Sequence, residues 1–171
     1  MLKRLPDGSP ILIRPIRADD KRLLSDGLAH LSRESVQRRF LSPKHRFTAS
    51  ELRYLTEVDG WNHVALVAES PTSAGRRFIG VVRYVRLPED PESAEVAFVV
   101  ADDFQRRGVA TLLAEELAQR AKMRGIKRFT ATMSSENVAA HRLMAKLFDH
   151  LDRHHAGSGV DELSADIAAA A

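Results

Sequence analysis

The sequence predicts an α/β protein in which a mixed sheet is flanked by helices. Three observations carry this reading. Short apolar strands alternate with apolar stripes at helical spacing, two central strands lie close enough to form a hairpin, and the C-terminal part runs strand, helix, strand, helix. At 171 residues the chain is expected to fold as one domain, residues 1–171, large enough to bury a core.

Ile11, Leu12 and Ile13 read as a first strand, ended by Arg14-Pro15. Asp19 and Asp20 offer an N-cap, and Leu23, Leu24, Leu28 and Leu31 follow at helical spacing. A second helix is expected over 33–40, stopping before Pro43, because the residue before proline disfavours helix. Thr48-Ala49-Ser50-Glu51 is a capping box for a third helix reaching Glu57. Residues 64–68 and 78–85 read as strands joined by a Pro/Ser/Gly loop. Residues 94–100 form a central strand after a turn containing Pro88 and Pro91. The next helix sets Val109, Leu112, Leu113, Leu117 and Ala121 on one face and stops at Gly125. Residues 129–133 are a strand, and Asn137 opens a helix with the stripe Ala140, Leu143, Met144 and Leu147. Residues 151–155 and 161–167 are expected as two last strands, and the four closing alanines as a frayed end.

Composition excludes several functions. There is no cysteine, hence no disulfide, thiolate metal site or cysteine nucleophile, and a cytoplasmic setting fits. The apolar runs are too short to span a bilayer and no signal-peptide h-region opens the chain, so no membrane role is expected. Net charge is +3, and Arg33, Arg38, Arg39, Lys44 and Arg46 crowd one region. Aromatic residues are only 6% and no nucleic-acid motif surrounds these charges, so no nucleic acid is expected as partner. The cluster reads either as a solvated helix face or as a surface meeting a polyanionic cofactor or an acidic partner. No metal is expected, since His154 and His155 point apart in a strand and no helical carboxylate–histidine pair accompanies them.

The chemistry concentrates in AEVAFVVADDFQRRGVATLL, residues 94–113. An apolar strand carrying one carboxylate, Glu95, leads through a polar loop to a glycine-containing helix start. The first N–H groups of a helix lack intrahelical partners and its dipole makes that end positive, so anionic oxygens can sit there. Alternation places Glu95, Ala97 and Val99 on one face of the strand. In such an apolar surround, desolvation would raise the pKa of Glu95 toward that of a base working near neutrality. Arg106 and Arg107 stand where the dipole disfavours cations, which tilts the reading toward an anionic ligand.

Gln105-Arg106-Arg107-Gly108-Val109-Ala110 resembles the Gln/Arg-x-x-Gly-x-Gly/Ala signature of the Gcn5-related N-acetyltransferases (GNAT), with Gln105, Gly108 and Ala110 at its defining positions. The resemblance covers most of the chain and implies a mostly antiparallel, twisted GNAT-type sheet flanked by helices. It implies acetyl-CoA as acyl donor, its diphosphate held by Gln105, Arg106, Arg107, Gly108, Val109, Ala110 and Thr111. One of the two arginines would meet either the diphosphate or the 3′-phosphate. The backbone of Phe98, Val99 and Val100 would polarise the thioester at a bulge in the strand, and Asn137 would touch the cofactor. Ala94-Glu95-Val96-Ala97 matches the Ala-Glu-x-Ala motif whose glutamate is the base in bacterial protein lysine acetyltransferases. Ile13-Arg14-Pro15-Ile16, SRESVQRRFLSPKHRFTASEL and TEVDGWNHVALVA are similar to the catalytic domain of the same branch.

That branch often carries a fused regulatory module, and regulation by a tethered ligand domain is not expected here. Many relatives place a proton-donating tyrosine seven residues after the helix-starting asparagine. Here that position is Met144, leaving water, Ser134, Ser135 or His141 to serve the departing thiolate, or no acid at all. His63 reads either as an ordinary loop residue or as part of the acceptor pocket. The expected activity is acetyl transfer from acetyl-CoA to a primary amine, a protein lysine first. A small-molecule amine acetyltransferase and a catalytically silent CoA-binding module are the alternatives.

Overall fold

Eight strands form one sheet in the computed structural model, which describes residues 1–72 and 75–167. In chain order the elements are β1 (Leu2–Arg4), β2 (Pro10–Pro15), α1 (Lys21–Ala29), α2 (Arg33–Phe40), α3 (Ala49–Thr56), β3 (His63–Thr72), β4 (Gly75–Arg86), β5 (Ser93–Val100), α4 (Val109–Met123), β6 (Arg128–Ser134), α5 (Val138–Leu147), β7 (Asp149–Gly157) and β8 (Val160–Asp166). The strand order is β1-β2-β3-β4-β5-β6-β8-β7. Every neighbouring pair is antiparallel except β5–β6, which α4 connects as a parallel crossover.

Strand alternation divides the core between the two faces of the sheet. Leu66, Val82, Tyr84, Val96 and Phe129 pack with Leu113, Leu117 and Ala121 of α4 and Met144 of α5. Ala65, Val67, Phe78 and Val81 face the other way, toward Leu24 of α1 and Leu52 and Leu55 of α3. α2 packs against β5 and β6. Gly80 lets α4 approach β4 closely, since a Cβ there would lie 2.9 Å from Leu113 Cδ1 and 3.0 Å from Val109 Cγ1.

The local signals act as the sequence predicts at several ends. Thr48 and Glu51 form a reciprocal capping box. Gly125 takes φ 78° directly after α4, and its N–H donates to the Lys122 carbonyl at 2.9 Å. Other expectations need correction. Leu31 lies outside α1, which ends at Ala29. Asp20 does not cap α1 with its side chain, because its carboxylate accepts both Arg14 guanidinium nitrogens at 2.7 Å and the Arg17 N–H at 2.7 Å. Arg14 also pairs with Glu69, so one guanidinium ties the start of α1 to β2 and β3. β1 has no apolar alternation to announce it, and the Leu2 side chain is exposed. The turn at 73–74 and the closing alanines lie outside the described residues. Among the described residues, no helix is long and apolar enough to cross a membrane.

The C-terminal strands hold the start of α5 through one buried carboxylate. Asp161 accepts from Ser135 Oγ at 2.7 Å and His155 Nδ1 at 3.0 Å, and pairs with Arg153 at 2.6 Å. Hydrogen bonds from His155, then Ser135 and Arg153, lower its pKa from 3.8 to about 2. A depressed carboxylate contributes stability above its unfolded value and loses it as pH falls through the folded one. Thermal melts of the wild type are therefore expected to lose stability from about pH 4 toward about pH 2 more steeply than those of Asp161→Asn. Parallel profiles for the two proteins would refute this.

Candidate active site

β5 pairs with β4 in unbroken register from Gly80 opposite Val100 to Arg86 opposite Ala94. Against β6 it pairs only from Ser93 opposite Arg128 to Glu95 opposite Thr130. Beyond Glu95, β5 stays with β4 and β6 stays with β8, so the sheet splits. The bulge implied by the family resemblance is absent from the β4–β5 register, and the opening comes from this divergence instead. The edge of β5 from Val96 to Val100 thus faces β6 with no partner strand. Backbone polar groups there are left for a ligand or water, and an extended, amide-bearing chain is the natural partner.

A cavity of about 300 Å³ occupies the split. Phe98, Val99 and Val100 form one wall, Gln105, Arg106, Gly108, Val109, Ala110 and Thr111 its end, and Asn137 with Ala140 and Leu143 of α5 the opposite wall. Ser35, Arg38 and Arg39 bring α2 across it. Arg106 (φ 59°) and Gly108 (φ 91°) are both left-handed, a backbone pattern that gathers N–H groups into an anion-binding concavity. Gly108 is the N-cap of α4, whose first i→i−4 bond, Leu112 N–H to Gly108 O, is 3.1 Å. The N–H groups before Leu112 in that turn have no intrahelical acceptor.

The side chains around this turn do different things. The exposed Arg106 lines the cavity. Arg107 does not; its guanidinium pairs with Asp7 at 2.7 Å and lies 4.4 Å from the Phe104 ring. The Gln105 carboxamide donates to Ser35 Oγ at 3.0 Å and to the Val100 carbonyl at 3.3 Å, which ties the loop to α2 and leaves its backbone for a ligand. Asn137 Oδ1 caps α5 by accepting the Ala140 N–H at 3.2 Å, and the residue also lines the cavity.

Glu95 stands where the split begins, on the face opposite α4 and α5. Its side chain is exposed, so the enclosing apolar surround expected from alternation is not there. It borders an open groove of about 470 Å³ whose other lining residues include Glu89, Thr130, Thr132, Asp152, His154 and Glu162. Four carboxylates from β5, β7, β8 and the β4–β5 turn thus meet in one groove, an assembly that no single stretch of sequence announces. On β4, Arg83 pairs in register with Ala97, two residues beyond Glu95. Arg83 is 6% exposed, and its guanidinium donates to the Leu55 carbonyl at 3.3 Å and lies 3.1 Å from His63 Nε2. Burial, then the Arg83 charge, pushes His63 down to about 4, so the ring is neutral at physiological pH. The His63 ring packs at a tilt of 42° against Tyr54, with ring centroids 4.9 Å apart.

The candidate acids are turned elsewhere. Met144 is fully buried in the core. Ser135 and His141 face Asp161, the latter at 3.3 Å, and neither they nor Ser134 line the cavity. Tyr84 is buried and donates to the Trp61 carbonyl at 3.0 Å. No group of three His, Asp or Glu side chains is placed to hold a metal among the described residues.

The sheet thus splits beside a left-handed helix start, with a cavity along the free edge of β5 and Glu95 on the wall of a neighbouring open groove. Residues 11–147 match the family described as Acetyltransferase (GNAT) domain. The chain belongs to this family, whose members use acetyl-CoA as acetyl donor. It is 34% identical over 140 residues to Acetyltransferase Pat of Mycolicibacterium smegmatis, a match covering 82% of this chain and 41% of that protein. The solved GNAT domain of S. lividans PAT superposes with TM-score 0.85 at 34% identity, covering 97% of this chain and 96% of that one. The cAMP-binding acyltransferase from Mycobacterium smegmatis superposes with TM-score 0.69 at 28% identity, over 99% of this chain and 47% of that one. The chain thus spans less than half the length of the M. smegmatis acyltransferase chains it matches.

Proposed function

We propose that the chain transfers the acetyl group of acetyl-CoA to a protein lysine by direct attack, with Glu95 as general base. The observation that carries this is the place of Glu95, the last β5 residue paired with β6, where the sheet begins to split and where its side chain lines the open groove. The diphosphate lies on the backbone of Gln105, Arg106, Gly108, Val109, Ala110 and Thr111, with the Arg106 side chain beside it. The pantetheine arm runs along the free edge of β5, where backbone groups of Phe98, Val99 and Val100 polarise the thioester carbonyl. Arg107 supports the loop through Asp7 and Phe104, and Asn137 frames the cavity from α5. Glu95 accepts the proton that the amine gives up, and its retention weighs against a silent CoA-binding module.

The groove beside Glu95 is open, with Glu89, Asp152, His154 and Glu162 all exposed, so a lysine on a folded surface can reach the carboxylate. Its four carboxylates draw a cationic amine, while basic α2 on the other side favours an acidic patch on the same partner. The same carboxylates also suit a small polyamine, the second reading. Thiol release with acetyl-CoA should be measured against folded lysine-bearing proteins, short lysine peptides and free polyamines. A folded acceptor is expected to show the lowest KM and a rate that falls as salt shortens the Debye length below about 8 Å. If only free polyamines are acetylated above the non-enzymatic background, the protein-lysine reading fails.

A further inference from the structure

We infer that Arg39 is the group that stabilises the departing sulfur, in place of a proton-donating side chain. This rests on the cofactor cleft assigned above and adds a residue to it. α2 is anchored at its N-terminal end beside the anion cradle. There Ser32 Oγ and Ser35 Oγ donate to Asp102 at 2.8 and 2.7 Å, and Gln105 Nε2 donates to Ser35 Oγ. The helix then runs along the cavity, so that Arg39 comes near the opposite end. Burial pushes the pKa of its guanidinium down, opposed by the charges of Glu95 and then of Tyr54 on α3, and burial followed by the Arg39 charge likewise lowers that of Arg83 on β4. Arg39 lines the same cavity as Phe98, Val99 and Val100 and is half-buried.

Among the cations near the cleft, Arg39 alone combines three features: it lines the cavity, is half-buried, and has no carboxylate partner among the described residues; Arg106 is exposed and Arg83 does not line the cavity. Arg38 pairs with Glu34, Arg107 with Asp7, and Arg83 donates to the Leu55 carbonyl. Among the described residues no carboxylate lies within ion-pair distance of Arg39, whose guanidinium instead rests 4.9 Å from the Phe40 ring. A partly desolvated cation without a counter-ion is costly unless an anion arrives. The anion that arises at this end of the cleft is a thiolate. The free amine forms its nitrogen–carbon bond as the carbon–sulfur bond breaks. Glu95 has by then taken the proton of the incoming ammonium, the attacking nitrogen sheds its second proton to solvent, and the electron pair departs on sulfur. A guanidinium remains protonated at working pH, so Arg39 acts by charge, and the sulfur takes its proton from solvent as products leave. The absence of an acid at Met144 then costs the reaction little.

The test reads the sulfur itself. Free CoA is bound to wild type, Arg39→Gln and Arg39→Lys, and the ultraviolet absorbance of its thiolate is followed against pH. A cation within a few ångströms lowers such a titration by about one unit or more. The bound thiol should therefore titrate about one unit lower in wild type and Arg39→Lys than in Arg39→Gln. Turnover of Arg39→Gln should fall about 100-fold, with CoA affinity changed no more than about threefold. Identical titrations in wild type and Arg39→Gln would overturn the inference, as would a lysine variant indistinguishable from the glutamine variant. A loss of turnover matched by an equal loss of CoA affinity would make Arg39 a cofactor anchor instead. The cleft is checked separately with Gly108→Asp. If that variant binds CoA like wild type, the cleft assignment fails; if it loses CoA while the thiol titration ignores Arg39, only the role of Arg39 fails.

Discussion

Gly108→Asp is expected to weaken CoA binding at least about 100-fold in calorimetry while leaving the protein folded. Two separate effects combine. Gly108 has φ 91°, and a Cβ added there would lie 3.2 Å from Pro6 Cδ and 3.4 Å from Pro6 Cγ. Left-handed backbone costs an L-residue roughly 1–2 kcal/mol, and the β1–β2 loop would have to shift by a few tenths of an ångström. The new carboxylate would also sit at the head of α4 beside the phosphates, turning an attractive end charge into repulsion. Since each 1.4 kcal/mol is about tenfold, strain and repulsion of this size together reach two decades. Gly108→Ala separates the effects, because it keeps the strain without the charge and should lose only about tenfold. Unchanged CoA affinity in Gly108→Asp would remove the anion cradle from this loop.

That loop is also where the sequence was most legible. Its signals are local: a glycine at a helix start, an apolar strand before it and a periodic helix after it, and the structure sets these residues around one cavity. Capping at Thr48 and the stop at Gly125 were legible for the same reason, since their partners lie within four residues. What the sequence could not show is decided by distant partners. Arg106 and Arg107 look equivalent in the chain, yet Asp7, one hundred residues away, takes only the second. Arg39 read as one charge in a basic cluster, and only the packing of α2 across the split separates it from Arg38. The surroundings of Glu95 differ from the apolar cover that alternation predicts, because alternation reports only neighbours along a strand. Whether a side chain faces apolar cover or water depends on where β6 turns away, and that is fixed by its pairing with β8.

Glu95→Gln should lower turnover about 10²- to 10⁴-fold while CoA affinity stays within a small factor of wild type. Glutamine keeps the size and hydrogen-bonding reach of the side chain and removes only its capacity to take a proton. Affinity should hold because Glu95 lies outside the cavity lining and makes no hydrogen bond or ion pair among the described residues, so the substitution disturbs neither cradle nor core. A lysine amine enters solution protonated, with a reference value of about 10.4, so near neutrality few acceptors arrive as free amine. The defect of the glutamine variant should therefore narrow as pH rises toward that value and solvent supplies the deprotonated nucleophile unaided. A base acting only through packing would give a loss that ignores pH. Undiminished turnover of Glu95→Gln from about pH 6 to about pH 9 would remove Glu95 from the proton path. Catalysis would then rest on the split backbone and on Arg39 alone, with the amine deprotonated by water before it reaches the groove.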